Sequence, residues 1–190
     1  RYSLGNGMKV VLLPYKGLPI VQANLLFKVG SVHEPESKSG LSDIASSLSL
    51  PMDAQAIRAA GVQIGGSSGM DNTVFRARGI NIYLREVIEG LERNIKAGTI
   101  SQQGIEGYAK RFKSMFKRET YKRDHRYQLE LQGAIYGKDH PYVTKGSPTP
   151  KTIGKIGSDA AKDFGRKHYS AKNGTLIIAG NFDPKRAKSI

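Results

Sequence analysis

The chain has 190 residues, 38% of them apolar and 24% charged, enough for one domain with a proper core. Its 30 Lys+Arg against 16 Asp+Glu give a net charge of +14, a field that attracts nucleic acid, anionic membrane surface or acidic peptides, or is simply a solvated basic surface. There is no cysteine, which excludes disulfides and thiolate metal sites, and no apolar run approaches the ~18 residues of a membrane-spanning helix.

Arg1-Tyr2-Ser3-Leu4 reads as the edge of a folded unit rather than a charged-then-apolar leader, and Asn6-Gly7 is a tight-turn pair. Met8 to Leu13 is an apolar strand stopped by Pro14. Ile20 to Val29 alternates, with Val21, Ala23, Leu25 and Phe27 on one face and Gln22, Asn24 and Lys28 on the other, so one face is buried. These two strands are expected to form a hairpin-like pair. Gly30 ends the run, and a polar turn through Pro35 follows. Gly40 then opens a short helix with Leu41, Ile44, Ala45 and Leu48 on one face.

Asp53 is placed to cap a helix through Ala60, ending at Gly61. Val62 to Ser68 and Asn72 to Arg78 read as strands around a turn at Gly69-Met70-Asp71. Leu84, Val87, Ile88, Leu91 and Ile95 mark an amphipathic helix closed by Gly98. A second long helix begins near Ser101 or Gln102 as cap and carries the stripe Tyr108, Phe112, Met115 and Phe116, despite Gly104 and Gly107 in its first turns. Asp124 is expected to cap a third helix whose buried face is Tyr127, Leu131, Ala134 and Ile135.

Gly137 to Tyr142 is a loop, and residues 144–157 are loop or short turns. Ser158 or Asp159 caps a helix through His168, and Thr175 to Ala179 is the last strand. Strands at both ends enclose a block of helices. The fold class is therefore α+β: two layers, a mostly antiparallel sheet with helices on one face. A single domain spans 1–184, and 185–190 are a linker or the start of a further segment.

The four histidines, His33, His125, His140 and His168, include no pair at helical i, i+4 spacing. His33 reads as a turn residue, His125 as exposed, His140 as loop packing and His168 as a partner of a helix dipole. Ser46-Ser47 lacks the G-x-S-x-G setting of a serine nucleophile. Lys110, Arg111, Lys113, Lys117, Arg118, Lys122, Arg123 and Arg126 form a basic belt. The aromatics between them keep helical spacing, which favours core over base stacking.

The order of these pieces (the alternating strand, Gly30-Ser31…Glu34, Gly40 and a short buried helix) resembles the pitrilysin and mitochondrial-processing-peptidase-like zinc peptidases. Asn6-Gly7-Met8-Lys9-Val10, Gly61…Asp71-Asn72-Thr73-Val74, His140-Pro141-Tyr142 with Gly146, and Tyr169-Ser170…Asn173 before Gly180-Asn181-Phe182-Asp183 extend the likeness over nearly the whole chain. It resembles the first of two tandem domains. Against the family pattern, Leu48-Ser49-Leu50-Pro51 is short, which suggests residues missing there.

In active members the short helix carries the inverzincin motif H-x-x-E-H. The resemblance places that motif on residues 43–47, with Asp43 and Ser47 at the ligand positions and Ser46 at the base position. An ungapped match puts the third ligand at Met115, with Glu119 one turn further on. Catalytic zinc takes three ligands from His, Cys or carboxylate plus a water, and hydroxyls and a thioether are outside that set. No cofactor is therefore expected, although zinc serves the active relatives.

The matching strand in those relatives pairs with extended substrate, which makes Gly65, Gly66, Ser67 and Ser68 candidate peptide-binding residues; a bulge or weak edge is the plainer reading of the glycines. The expected function is a non-catalytic homologue, a partner or scaffold half contributing to a peptide chamber beside a homologous subunit or second domain. The alternatives are an active zinc peptidase with ligands supplied elsewhere, and a basic nucleic-acid or anionic-surface module. The compartment stays open, with export to the periplasm favoured over the cytoplasm.

Overall fold

The computed structural model describes residues 1–48, 59, 61–97, 100–145 and 148–190. Within them six strands form one sheet: β1 (Tyr2–Ser3), β2 (Lys9–Pro14), β3 (Ile20–Phe27), β4 (Gln63–Ser68), β5 (Thr73–Ile80) and β6 (Gly174–Gly180). The spatial order is β1-β2-β6-β3-β5-β4. Only the β2–β6 pairing is parallel; the other four are antiparallel. The α+β, two-layer architecture is thus observed, but β2 and β3 are not a hairpin. The last strand inserts between them, with Leu25 opposite Leu176 and Ala23 opposite Ile178. β6 carries enough apolar residues to sit at the centre of the sheet, whereas Leu13 and Pro14 of β2 are exposed.

The period-two alternation of β3 works as expected. Val21, Ala23, Leu25 and Phe27 are buried, together with Phe75 and Ala77 from β5. Helices α1 (Leu41–Ser47) and α2 (Leu84–Ala97) pack directly on the sheet, and α3 (Gln102–Phe116), α4 (Glu119–Tyr136), α5 (Pro141–Thr144), α6 (Pro150–Ile153), α7 (Ser158–His168) and α8 (Pro184–Lys188) complete the helical part of the fold. Leu84, Val87 and Leu91 of α2 are buried as the periodicity requires. Gly98, its expected stop, and Gly146 lie outside the described residues, as do Leu50-Pro51 and almost all of the helix expected over 53–60.

Ser101 caps α3, its hydroxyl accepting the Gly104 N–H at 3.0 Å. The cap of α7 is Gly157 rather than Ser158 or Asp159. Residues 184–188 form α8, capped by Asp183, with Ala187 buried.

The largest departure from expectation is α4. It begins at Glu119, so Asp124 lies inside it and caps nothing. Its expected buried face is turned outward: Tyr127 is 62%, Leu131 40% and Ile135 63% exposed, and Ala134 is exposed as well. The half-buried face is Tyr121, His125, Leu129 and Gln132. An aromatic cluster sets this phase. Tyr121 meets Phe112 and Phe116 at 6.2 and 5.7 Å between ring centroids, and the His125 ring lies 5.8 Å from both Phe116 and Tyr121. His125 is therefore half-buried among aromatics rather than exposed. His140 is the cap of α5, its Nδ1 accepting the Tyr142 N–H while the ring stacks on Tyr136.

Candidate functional site

The turn after β3 folds back on itself because Glu34 is drawn inside. Its side chain is 1% exposed. One carboxylate oxygen accepts the Gly40 N–H at 2.7 Å, and the other accepts the Ser42 N–H at 2.6 Å and the Ser42 hydroxyl. Glu34 thereby satisfies the free N–H groups that open α1, where Gly40 has no side chain to do so. Gly40 adopts φ +98°, and a Cβ there would stand 2.4 Å from Ile153 Cδ1. Burial raises the Glu34 carboxyl above the ordinary range, opposed by the hydrogen bonds from Ser42 and Gly40. The polar chain continues outward: Ser68 Oγ donates to Ser42 Oγ at 2.9 Å, and Thr73 Oγ1 donates to the Val29 carbonyl at 2.7 Å.

Asp43 and Met115 line one cavity of about 370 Å³, with Glu34, Ser68, Tyr108 and Tyr121. Two of the four sequence-predicted positions are thus brought together, from α1 and from the end of α3. Ser46 and Ser47 are not among the lining residues. Ser46 is fully buried, and both hydroxyls donate back to the Asp43 carbonyl, at 3.2 and 2.6 Å. The Asp43 carboxylate accepts a hydrogen bond from the Tyr108 hydroxyl. Glu119 does not restore a ligand. The helical path breaks at Arg118, which is extended, and Glu119 opens α4 with its exposed carboxylate paired to Lys122 at 2.7 Å.

This donor set does not fit catalytic zinc. The cavity offers a carboxylate already bonded to a phenol, a thioether, and a carboxylate whose oxygens accept backbone and hydroxyl hydrogens. Among the described residues no three His, Asp or Glu side chains are grouped as a metal ion would need.

Gly65, Gly66, Ser67 and Ser68 belong to β4, the edge strand, which pairs only with β5 among the described residues. The two glycines differ. A Cβ on Gly66 would stand 2.4 Å from the Ser46 carbonyl oxygen, so this glycine lets α1 approach the sheet. A Cβ on Gly65 would meet nothing within 4 Å, and it faces the open side. Ser68 points into the cavity beside Ser42, whereas Ser67 accepts from Arg76 Nη1 at 2.7 Å on the opposite face.

Sequence reasoning assigned no site role to Glu34 or Tyr108. The only local signal for Glu34 is an acidic residue held between a strand exit and Pro35. Tyr108 reads as one more member of an apolar stripe. The nucleic-acid candidates, from Lys110 to Arg126, are exposed on α3 and α4 and away from the cavity.

No protein-family model matches the chain. It is 25% identical over 196 residues to an uncharacterized zinc protease of Rickettsia bellii, and 25% identical over 192 residues to one of Rickettsia felis. Each match covers 95% of this chain and 46% of the relative, so the chain spans about half the length of the curated relatives it matches. In fold it is similar to a peptidase M16 inactive domain from Pseudomonas fluorescens, with a TM-score of 0.80 at 20% identity over 99% of this chain and 48% of that one. The periplasmic protease PqqL of Escherichia coli gives a TM-score of 0.83 at 14% identity, over 99% of this chain and 22% of that one. Pitrilysin gives 0.73 at 24% identity, over 97% and 21%. In sequence the chain is thus similar to zinc proteases over about half their length, and in fold it is similar to M16 peptidases and pitrilysin.

Proposed function

We propose that this chain is a non-catalytic peptidase homologue that forms one wall of a peptide chamber beside a homologous domain or subunit. The observation that carries the reading is the bonding at the motif positions. Asp43 is held by Tyr108, Ser46 and Ser47 hydrogen-bond their own helix, and Met115 offers only a thioether. Zinc would have to displace the phenol and would still lack imidazoles.

The likeness to an inactive M16 domain and to halves of M16 proteases supports a half-molecule role. The outward apolar face of α4, with Tyr127, Leu131 and Ile135 beside Lys122, Arg123 and Arg126 and the acidic Glu119 and Glu130, suits a partner with an apolar centre and a polar rim of mixed charge. The edge strand β4, with Gly65 to Ser68, is the segment on which an extended peptide would pair. The periplasm is the proposed compartment, by likeness to the periplasmic PqqL.

The test is zinc titration with a peptidase assay on the intact protein. The expected result is no tight zinc binding and no chelator-sensitive cleavage attributable to this half, with activity appearing only beside a subunit carrying an intact motif. Tight zinc binding abolished by Asp43→Ala, with chelator-sensitive cleavage, would overturn the reading.

A further inference from the structure

On the sheet face turned away from the helices, β5 presents Arg76 and Arg78, both exposed. The register sets Arg76 between Asn24 of β3 and Gly65 of β4, and Arg78 between Gln22 and Gln63. Each arginine therefore stands one strand in from the β4 edge, which has no further strand beside it among the described residues, in a groove of about 380 Å³ lined by Gln22, Gln63, Gly65 and the two arginines among others.

Three features of this groove point the same way. Nothing lies within 4 Å of where a Gly65 side chain would begin, so the path from Arg76 over β4 to the edge is clear. Arg76 already leans over that strand to donate to Ser67. Among the described residues neither arginine is in an ion pair, and the cross-strand neighbours on this face, Gln22, Asn24 and Gln63, are neutral.

We propose that the β4 edge takes an extended peptide with acidic side chains two residues apart, read by Arg76 and Arg78. The proposal rests on the chamber-wall reading and adds a side-chain rule to it. A strand added to β4 lies about 10 Å from β5, two spacings of ~4.8 Å. Its residues at i and i+2 share a face, as Arg76 and Arg78 do. A glutamate leaning inward meets an arginine leaning outward across the missing side chain of Gly65. Guanidinium and carboxylate there form charge-assisted, two-point hydrogen bonds. The Gln63 amide adds a further donor in the second row.

The experiment measures binding of two fluorescent hexapeptides to the intact protein by anisotropy. One has the sequence Thr-Glu-Val-Glu-Val-Thr, and the other has glutamine in place of both glutamates. The acidic peptide is expected to bind about tenfold tighter, an effect of the size a single charge-assisted pair supplies. The double variant Arg76→Gln with Arg78→Gln should erase that difference and leave the glutamine peptide unchanged. Gly65→Thr, which puts a side chain in the path, should reduce the preference while main-chain pairing persists.

Equal binding of both peptides, indifferent to the arginines, would overturn the acidic rule and leave the chamber-wall reading intact. An acidic preference that survives the double variant but disappears on neutralising Lys122, Arg123 and Arg126 would overturn it in favour of α4. Binding of duplex DNA with the same arginine dependence, and of neither peptide, would overturn both readings.

Discussion

The Tyr108 hydroxyl, on α3, is hydrogen-bonded to the carboxylate of Asp43, on α1. This contact joins the two helices that, by the family resemblance, would share a zinc ion. A neutral donor and one carboxylate thus link the two helices directly. Burial first, and then the Asp43 charge and hydrogen bond, push the Tyr108 hydroxyl far above the ordinary tyrosine range, so it stays protonated and donating throughout physiological pH.

Tyr108→Phe removes that donor and leaves Asp43 half-buried without its phenol. A hydrogen bond to a charged group of this kind contributes about 1.5–3 kcal/mol, and partial solvent access reduces the expected loss to about 1–2 kcal/mol. A urea titration should show a lower midpoint at unchanged slope. An unchanged midpoint would mean that water replaces the phenol at no cost.

The neighbouring glycines of β4 should behave oppositely. Gly66→Ala drives a methyl to 2.4 Å from the Ser46 carbonyl oxygen and 3.0 Å from Phe75 Cδ1. Backbone is slow to yield, and overpacking of this sort costs about 1–3 kcal/mol. Gly65→Ala meets open space, and the unfolded chain loses freedom, so stability should hold or rise by about 0.4–1 kcal/mol. Thermal melts of the two variants check the contrast directly.

Stability should fall on mild acidification. Burial lowers the titration of His125, and burial with Lys167 and His33 lowers that of His168, both below the ordinary value of 6.5. As pH drops through about 6.5 the unfolded chain takes up protons that the folded chain refuses, so the contribution present above that pH is lost. Glu34 has the opposite sign. Its raised carboxyl holds a proton in the fold above the ordinary 4.5, so acidification through that lower window favours the folded state. His125→Phe keeps a ring against Phe116 and Tyr121 and should flatten the dependence between pH 7.5 and 6 in denaturant titrations.

The outward face of α4 separates stability from association. Leu131→Gln alters a side chain that is 40% exposed and should change unfolding free energy by no more than about 1 kcal/mol. Phe112→Ala, at the centre of the aromatic cluster, should cost about 3–5 kcal/mol. If the face receives a homologous partner, Leu131→Gln weakens co-purification of that partner while melting like the parent. Loss of stability in Leu131→Gln would show instead that the face is covered within the chain.

What could be read from the amino-acid order was local. The alternation of Val21, Ala23, Leu25 and Phe27, the 3.6-residue spacing from Leu84 to Leu91, and the Ser101 cap all depend on contacts within one strand or one turn. The donor types of Asp43, Ser46, Ser47 and Met115 were equally legible, because donor type is a property of the residue itself, while their placement at the ligand and base positions is what the family resemblance implies. The tertiary structure alone decided the rest. The place of β6 between β2 and β3, the outward phase of α4, and the burial of Glu34 beneath α1 follow from competition among distant surfaces for one apolar face. No short window of sequence holds that competition, since β3 and β6 meet across some 150 residues of chain.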